Sequence, residues 1–155
     1  MPVRTPPSHE RLLSIFQKAN NSLEYLTAND WMLIVDRAKQ VHFKKNEYLI
    51  RQGTSANLVY LIAEGKVRVA ISGTELAQLG PGQVCGEMAF LENTVASATA
   101  TAEVDVEAYA LEWKDLTDVF ELFPHLASRF YRSLAVTISR RLRKLIESSK
   151  ATRQV

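Results

Sequence analysis

Between Val41 and Leu111 the chain breaks into short runs of β-formers separated by glycine-bearing turns, and this punctuation limits the fold more than any other feature. The runs are Val41-His42-Phe43, Tyr48-Leu49-Ile50, Val59-Tyr60-Leu61-Ile62 and Val67-Arg68-Val69-Ala70-Ile71, then Ala98 to Ala102 and Val104 to Leu111. Between them stand Gln52-Gly53-Thr54, Glu64-Gly65-Lys66, Ser72-Gly73-Thr74 and Gly80-Pro81-Gly82. Glycine supplies positive φ at such turns, and proline supplies a preset φ. Many short strands at close, regular spacing predict a sandwich, barrel or roll. No motif recurs at a fixed period, which excludes a solenoid.

Helical patterns flank this region. Ser8 to Ala19 reads as a helix, with Ser8 as its cap and Leu12, Leu13, Ile15 and Phe16 as its apolar stripe. Thr27-Ala28-Asn29-Asp30 is a Thr-x-x-Asp start signal, opening a helix whose apolar face is Trp31, Leu33, Ile34, Val35 and Ala38. Beyond the strands, Leu116, Val119, Phe120 and Phe123 recur at helical spacing until Pro124 breaks or restarts the chain. From His125 to Ser148 the residues Leu126, Phe130, Leu134, Ile138, Leu142, Leu145 and Ile146 describe one stripe on a long helix. The expected class is α+β: N-terminal helices, a central antiparallel β-roll of jelly-roll type, and a long C-terminal helix. The expected division is an arm and helix at 1–22, one domain at 23–150 containing the helix at 125–148, and a tail at 151–155.

Composition narrows the class. The 155 residues are 46% hydrophobic and 23% charged, too apolar for a disordered chain. No apolar run reaches the roughly 18 residues a membrane span needs, and the proline-rich start does not read as a secretory signal. Cys85 is the single cysteine, so no internal disulfide forms and a reducing cytoplasm is the expected compartment. His9, His42 and His125 are scattered, which argues against a metal-dependent enzyme built on the roll. From Arg129 onward eight bases and one acid, Glu147, give +7, against −5 for the rest and +2 overall. This basic stretch is expected to be a solvated helix face suited to the C-terminal dipole.

The segment with chemical content is Gly80 to Ala102. A strand ends at Gly86, Glu87 to Leu91 forms a short helical turn, and a loop from Glu92 to Val95 leads into the next strand. A glycine before a helix exposes backbone N–H groups at a positive dipole end, and Glu87 there has the acceptors for sugar hydroxyls. The alternative is a tight β-corner in which Glu87 only caps the turn. Ser97, Thr99 and Thr101 alternate with Ala98, Ala100 and Ala102, placing hydroxyls on one strand face and methyls on the other. Cys85 has no base or lysine beside it and is expected to be a buried structural thiol.

Gly86-Glu87-Met88-Ala89-Phe90-Leu91, with Ser97-Ala98-Thr99-Ala100 beyond the loop, resembles the phosphate-binding cassette of cyclic nucleotide-binding domains. Such domains occur in catabolite-activator-type regulators, regulatory subunits of protein kinases and nucleotide-gated channels. Tyr48 to Gly53, Val59 to Val69 and Leu79 to Glu87 are similar to the family's strands and turns, and the last helix to its C-helix. The resemblance implies that Glu87 binds the ribose 2′-hydroxyl. It implies that the backbone of Gly86, Met88 and Ala89 lines the sugar and phosphate, that Ser97 donates to a phosphate oxygen through its hydroxyl and its N–H, and that Ala98 belongs to the same cassette. It implies cAMP or cGMP as ligand, with no other cofactor required. Alignment on Arg140-Arg141-Leu142 places Leu142, Leu145 and Ile146 at the lid over the base.

One position departs from the family pattern. The residue before the serine is usually an arginine that pairs with the cyclic phosphate, and here it is Ala96. A charge-assisted contact of that kind is worth about 1.5–3 kcal/mol, so a micromolar site falls to tens or hundreds of micromolar. No cation stands between Gly73 and Thr101, Arg51 and Arg68 read as solvated strand residues, and Glu87 and Glu92 give the pocket a negative balance. The expectation is a non-enzymatic regulator that senses a small phosphate-containing ligand, with cAMP or cGMP binding weak or lost. The alternative is a scaffold that dimerises or docks a protein through the C-terminal helix without nucleotide. Direct DNA binding is not expected, since no helix-turn-helix pattern follows the helix.

Overall fold

The computed structural model describes residues 9–16 and 23–153. Helices α1 (His9–Phe16) and α2 (Ala28–Val35) precede β1 (Lys39–Phe43), β2 (Tyr48–Ile50), β3 (Leu58–Glu64), β4 (Val67–Ile71), β5 (Thr74–Leu79) and β6 (Val84–Cys85). Then come α3 (Glu87–Glu92), β7 (Thr99–Ala102), β8 (Val106–Glu112), α4 (Trp113–Leu122) and α5 (Pro124–Arg153). The strands form two antiparallel four-stranded sheets, ordered β1-β8-β3-β6 and β2-β7-β4-β5. The expected α+β roll between helices is therefore the architecture. The proposed arm at 1–7, the Ser8 cap and the end of the first helix lie outside the described residues.

Strand β3 explains how the layers stack. Val59, Leu61 and Ala63 point to a core shared with the helices, where they join Phe16, Trp31, Leu111, Phe120 and Phe130. Tyr60 and Ile62 point the other way, into the roll, where they meet Val67, Leu79 and the alanines of β7 and β8. Both faces are buried, so the run Val59-Tyr60-Leu61-Ile62 is continuously apolar rather than alternating. The roll interior is built from small side chains: Ala98, Ala100 and Ala102 stand with Ala108 and Ala110.

Strand β5 was not legible as a strand. Glu75, Ala77 and Gln78 are poor β-formers, and the segment is held by its partner instead. It pairs with β4 from Val67↔Leu79 to Ile71↔Thr74. Ser72 and Gly73 both have positive φ, as a two-residue hairpin turn of the primed type requires. The second helix ends at Val35, short of Ala38, and the last helix runs from Pro124 to Arg153 rather than from 125 to 148. Pro124 is its first residue, where a missing N–H costs nothing.

The basic stretch is not merely solvated. Arg129 reaches back across 99 residues to the buried carboxylate of Asp30, with Nε–Oδ2 at 2.6 Å and Nη2–Oδ1 at 2.9 Å. Asp30 also completes the capping box that Thr27 begins: its amide donates to Thr27 Oγ1, and the Thr27 amide donates to its carboxylate. Buried Ser133 adds a second stitch, accepting from the Tyr25 amide at 3.1 Å and donating to the Arg129 carbonyl at 2.8 Å. The first half of α5 is thereby fixed to the N-terminal segment.

Burial alone pushes the Asp30 carboxyl up, but the Arg129 guanidinium and the Thr27 hydrogen bonds outweigh it and hold it below its usual 3.8. A lowered folded value stabilises the fold above that pH, and the contribution is lost as pH falls through it. Chemical denaturation across the acid range should show Asp30→Asn less stable than the parent at neutral pH. The variant's stability should also fall less on acidification. A variant with an unchanged acid limb would remove Asp30 from this role.

Candidate functional site

The site begins at Gly86. Its φ of +91° lies in the left-handed region, and a Cβ there would sit 3.0 Å from Ile50 Cδ1 and 3.1 Å from the Leu58 carbonyl oxygen. Only glycine makes this corner without strain, and the corner turns the chain from β6 into α3. At the far end of α3, Asn93 also takes positive φ and its amide closes the last turn on Ala89 and Phe90. The returning loop is pinned through its backbone: the Ala96 amide donates to the Thr54 carbonyl at 2.9 Å, and the Gly53 amide donates to the Ala96 carbonyl at 2.8 Å. The Ala96 side chain is buried.

Glu87, the first residue of α3, is 5% exposed. Its Oε1 accepts from Arg141 Nη1 at 3.0 Å, across 54 residues of sequence. Arg141 lies on α5, so this contact ties the long helix to the cassette. Burial pushes the Glu87 carboxyl above its ordinary value, and the Arg141 charge and hydrogen bond only partly offset that. The second guanidinium nitrogen of Arg141, Nη2, is shielded from solvent and has no hydrogen-bond partner among the described residues.

Between α3, the loop to β7, the β2-β7-β4-β5 sheet and α5 lies a cavity of about 250 Å³. Gly86, Glu87, Met88, Ala89, Ala96, Ser97, Ala98, Leu142 and Leu145 all line it. Ile146 does not; it is 47% exposed, one position farther round the helix. Sequence reasoning missed Ile50, Val69, Leu79 and Ile138 in the wall, and above all Arg141. The one signal for Arg141 was its place in Arg140-Arg141-Leu142, where it was read as part of a solvated face.

The expected negative balance is also corrected. Glu92 is exposed and does not line the cavity, while Arg141 balances Glu87. Arg51 stacks over Tyr48 at 4.7 Å and Arg68 sits 3.8 Å from Glu103, so neither lines the site. Leading into β7 the methyls turn inward: Ala98 and Ala100 line the cavity together with Ser97, whereas Thr99 Oγ1 accepts from the Gln52 amide at 3.0 Å. Cys85 is buried in the wall, and burial, with the neighbouring Glu87 charge, pushes its thiol up. Among the described residues no cluster of His, Cys, Asp and Glu is placed to hold a metal, and no helix is long and apolar enough to cross a membrane.

Residues 40–122 match the family described as the cyclic nucleotide-binding domain. A cyclic AMP receptor protein of Thermus thermophilus is 36% identical over 107 residues, which is 66% of this chain and 48% of that protein. Glutaminase 2 of Bradyrhizobium diazoefficiens is 35% identical over 121 residues, 77% of this chain but 19% of the enzyme. The crystal structure of Thermus thermophilus catabolite activator protein superposes with a TM-score of 0.68 at 29% identity, over 85% of this chain and 63% of that one. The chain thus spans less than two thirds of each of these relatives.

Gly86→Ala tests the corner. The left-handed backbone alone costs about 1–2 kcal/mol with a Cβ, and Ile50 or the Leu58 carbonyl must also move. Urea unfolding should therefore show a loss of at least that size. A neutral substitution would mean the corner relaxes freely.

Proposed function

The chain belongs to the cyclic nucleotide-binding domain family, and on that premise we propose that it is a non-enzymatic regulatory module. It senses a small molecule in the cavity beneath α5 and signals through that helix. The observation that carries this reading is the Glu87–Arg141 contact. Any ligand that engages Glu87 must share or replace the bond by which α5 is held. Differential affinity for the two placements of the helix is then the source of the signal. The regulatory unit would be residues 23–150, with α1 packed onto it through Phe16.

The cassette set is Gly86, Glu87, Met88, Ala89, Ala96, Ser97 and Ala98, with Leu142 and Leu145 as the lid and Ile146 at its outer edge. Apolar lid residues stack on a base without reading its hydrogen-bonding edge. The Ala96 methyl has nothing to offer a phosphate, and the charge of Arg141 is already balanced by Glu87. A phosphate-containing ligand such as cAMP or cGMP therefore binds weakly or not at all.

The exposed stripe of α5 favours a second reading on the same fold. Tyr131, Ile138, Leu142, Leu145 and Ile146 are all exposed large apolar residues. A second copy of the helix or a protein partner would cover them, with no nucleotide needed.

Titration calorimetry with cAMP and cGMP should give affinities of hundreds of micromolar or no heat. Ala96→Arg should strengthen cAMP binding roughly tenfold to a hundredfold, and adding Glu87→Ala should abolish the gain. Micromolar cAMP binding by the unmodified chain would contradict the role given to Ala96. For the second reading, sedimentation should show a dimer that Leu142→Glu with Ile146→Glu converts to a monomer. A monomeric parent chain at high concentration would remove helix pairing.

A further inference from the structure

The cavity's chemistry specifies more than its place in the fold. Its wall is mostly hydrocarbon, through Ile50, Val69, Leu79, Met88, Ile138 and the alanine face of β7, with Ser97 adding one hydroxyl-bearing residue. Among the described residues Glu87 and Arg141 are the only charged ones lining it, and they neutralise one another at 3.0 Å. An anion entering this space would bring a net charge beside a buried carboxylate, with no second cation to receive it. A neutral molecule would bring none.

Arg141, alongside Ser97, supplies the strongest directional demand. Nη1 is occupied by Glu87, which fixes the plane of the guanidinium, while Nη2 is buried without an acceptor. A buried donor left unpaired is costly, and an acceptor that reaches it removes that cost without moving Glu87. The volume, about 250 Å³, lies below the ~300–1,000 Å³ of drug-sized ligand pockets, so the occupant is small.

The geometry points to a ligand that is a small uncharged molecule with an apolar body and a single oxygen acceptor, a ketone or lactone in chemical class, held by Arg141 Nη2. This rests on the reading of the cavity as the sensory site, and it specifies a ligand class that the cassette resemblance does not.

The test is calorimetry on the full chain with probes of one shape: benzylacetone (the ketone), hydrocinnamate (its carboxylate counterpart) and butylbenzene (its hydrocarbon counterpart), with cAMP as the fourth. Benzylacetone should bind saturably, and hydrocinnamate and cAMP at least about tenfold more weakly. The paired substitution Glu87→Gln with Arg141→Met removes the donor without leaving a buried charge. It should lower the ketone-to-hydrocarbon affinity ratio about tenfold. That ratio is insensitive to a general loosening of the fold. Amide chemical shifts should place the perturbation at Met88, Ala98 and Leu142. Tighter binding of hydrocinnamate or cAMP at those positions would overturn the neutral class and leave the sensory reading standing. An unchanged ratio in the variant would overturn the role of Arg141. No binding by any of the four probes would overturn both this inference and the sensory reading.

Discussion

A carboxylate buried as deeply as that of Glu87 must find a partner or take a proton, and the arrangement around the cavity follows from its finding Arg141. The partner comes from α5, so the long helix has to lie across the cassette for the contact to form. The helix in turn roofs the space that the glycine corner and the alanine-faced strand leave open. The pairing does not fully offset the burial, since the carboxyl is still pushed up. A raised folded value means that the ionised pair costs stability above the ordinary carboxylate range, whereas Asp30 is shifted the opposite way and stabilises. The two contacts of α5 therefore differ in kind: the one near its start consolidates the fold, and the one at Arg141 is maintained against a cost.

That contrast matches the distribution of side-chain burial along the helix. Leu126, Phe130, Ser133 and Leu134 are buried, while Leu142, Leu145 and Ile146 are exposed. The early turns share a core with Phe120 and Trp31. The later turns are held at the cavity by Arg141 and on the N-terminal segment by the ion pair of Arg140 with Glu24 at 2.8 Å.

The parts of the fold written in local chemistry were legible in the sequence. The Thr27 capping box, the β-runs of β1 to β4, the glycine corner before Glu87 and the restart at Pro124 each depend on residues a few positions apart. The parts that depend on distant pairing were not. Arg129 with Asp30, Ser133 with Tyr25, and Arg141 with Glu87 join residues 99, 108 and 54 positions apart, and no periodicity encodes them. Strand β5 was missed for a related reason, because β4 supplies the pairing that its own residues do not favour. The candidate site was half readable: the cassette positions came from a contiguous stretch, but the charge opposite them came from the basic face of the last helix, which reads as solvated.

The length of α5 has a mechanical consequence. A helix rises about 1.5 Å per residue, so the turns from Arg141 through Arg153 extend some 18 Å from the last charged contact with the cassette. A tilt of about ten degrees pivoting at Arg141 would sweep the far end through roughly 3 Å, on simple helix geometry. Under the proposed sensory reading, release of a single guanidinium at the cavity would become a lever stroke large enough to separate or engage packed side chains.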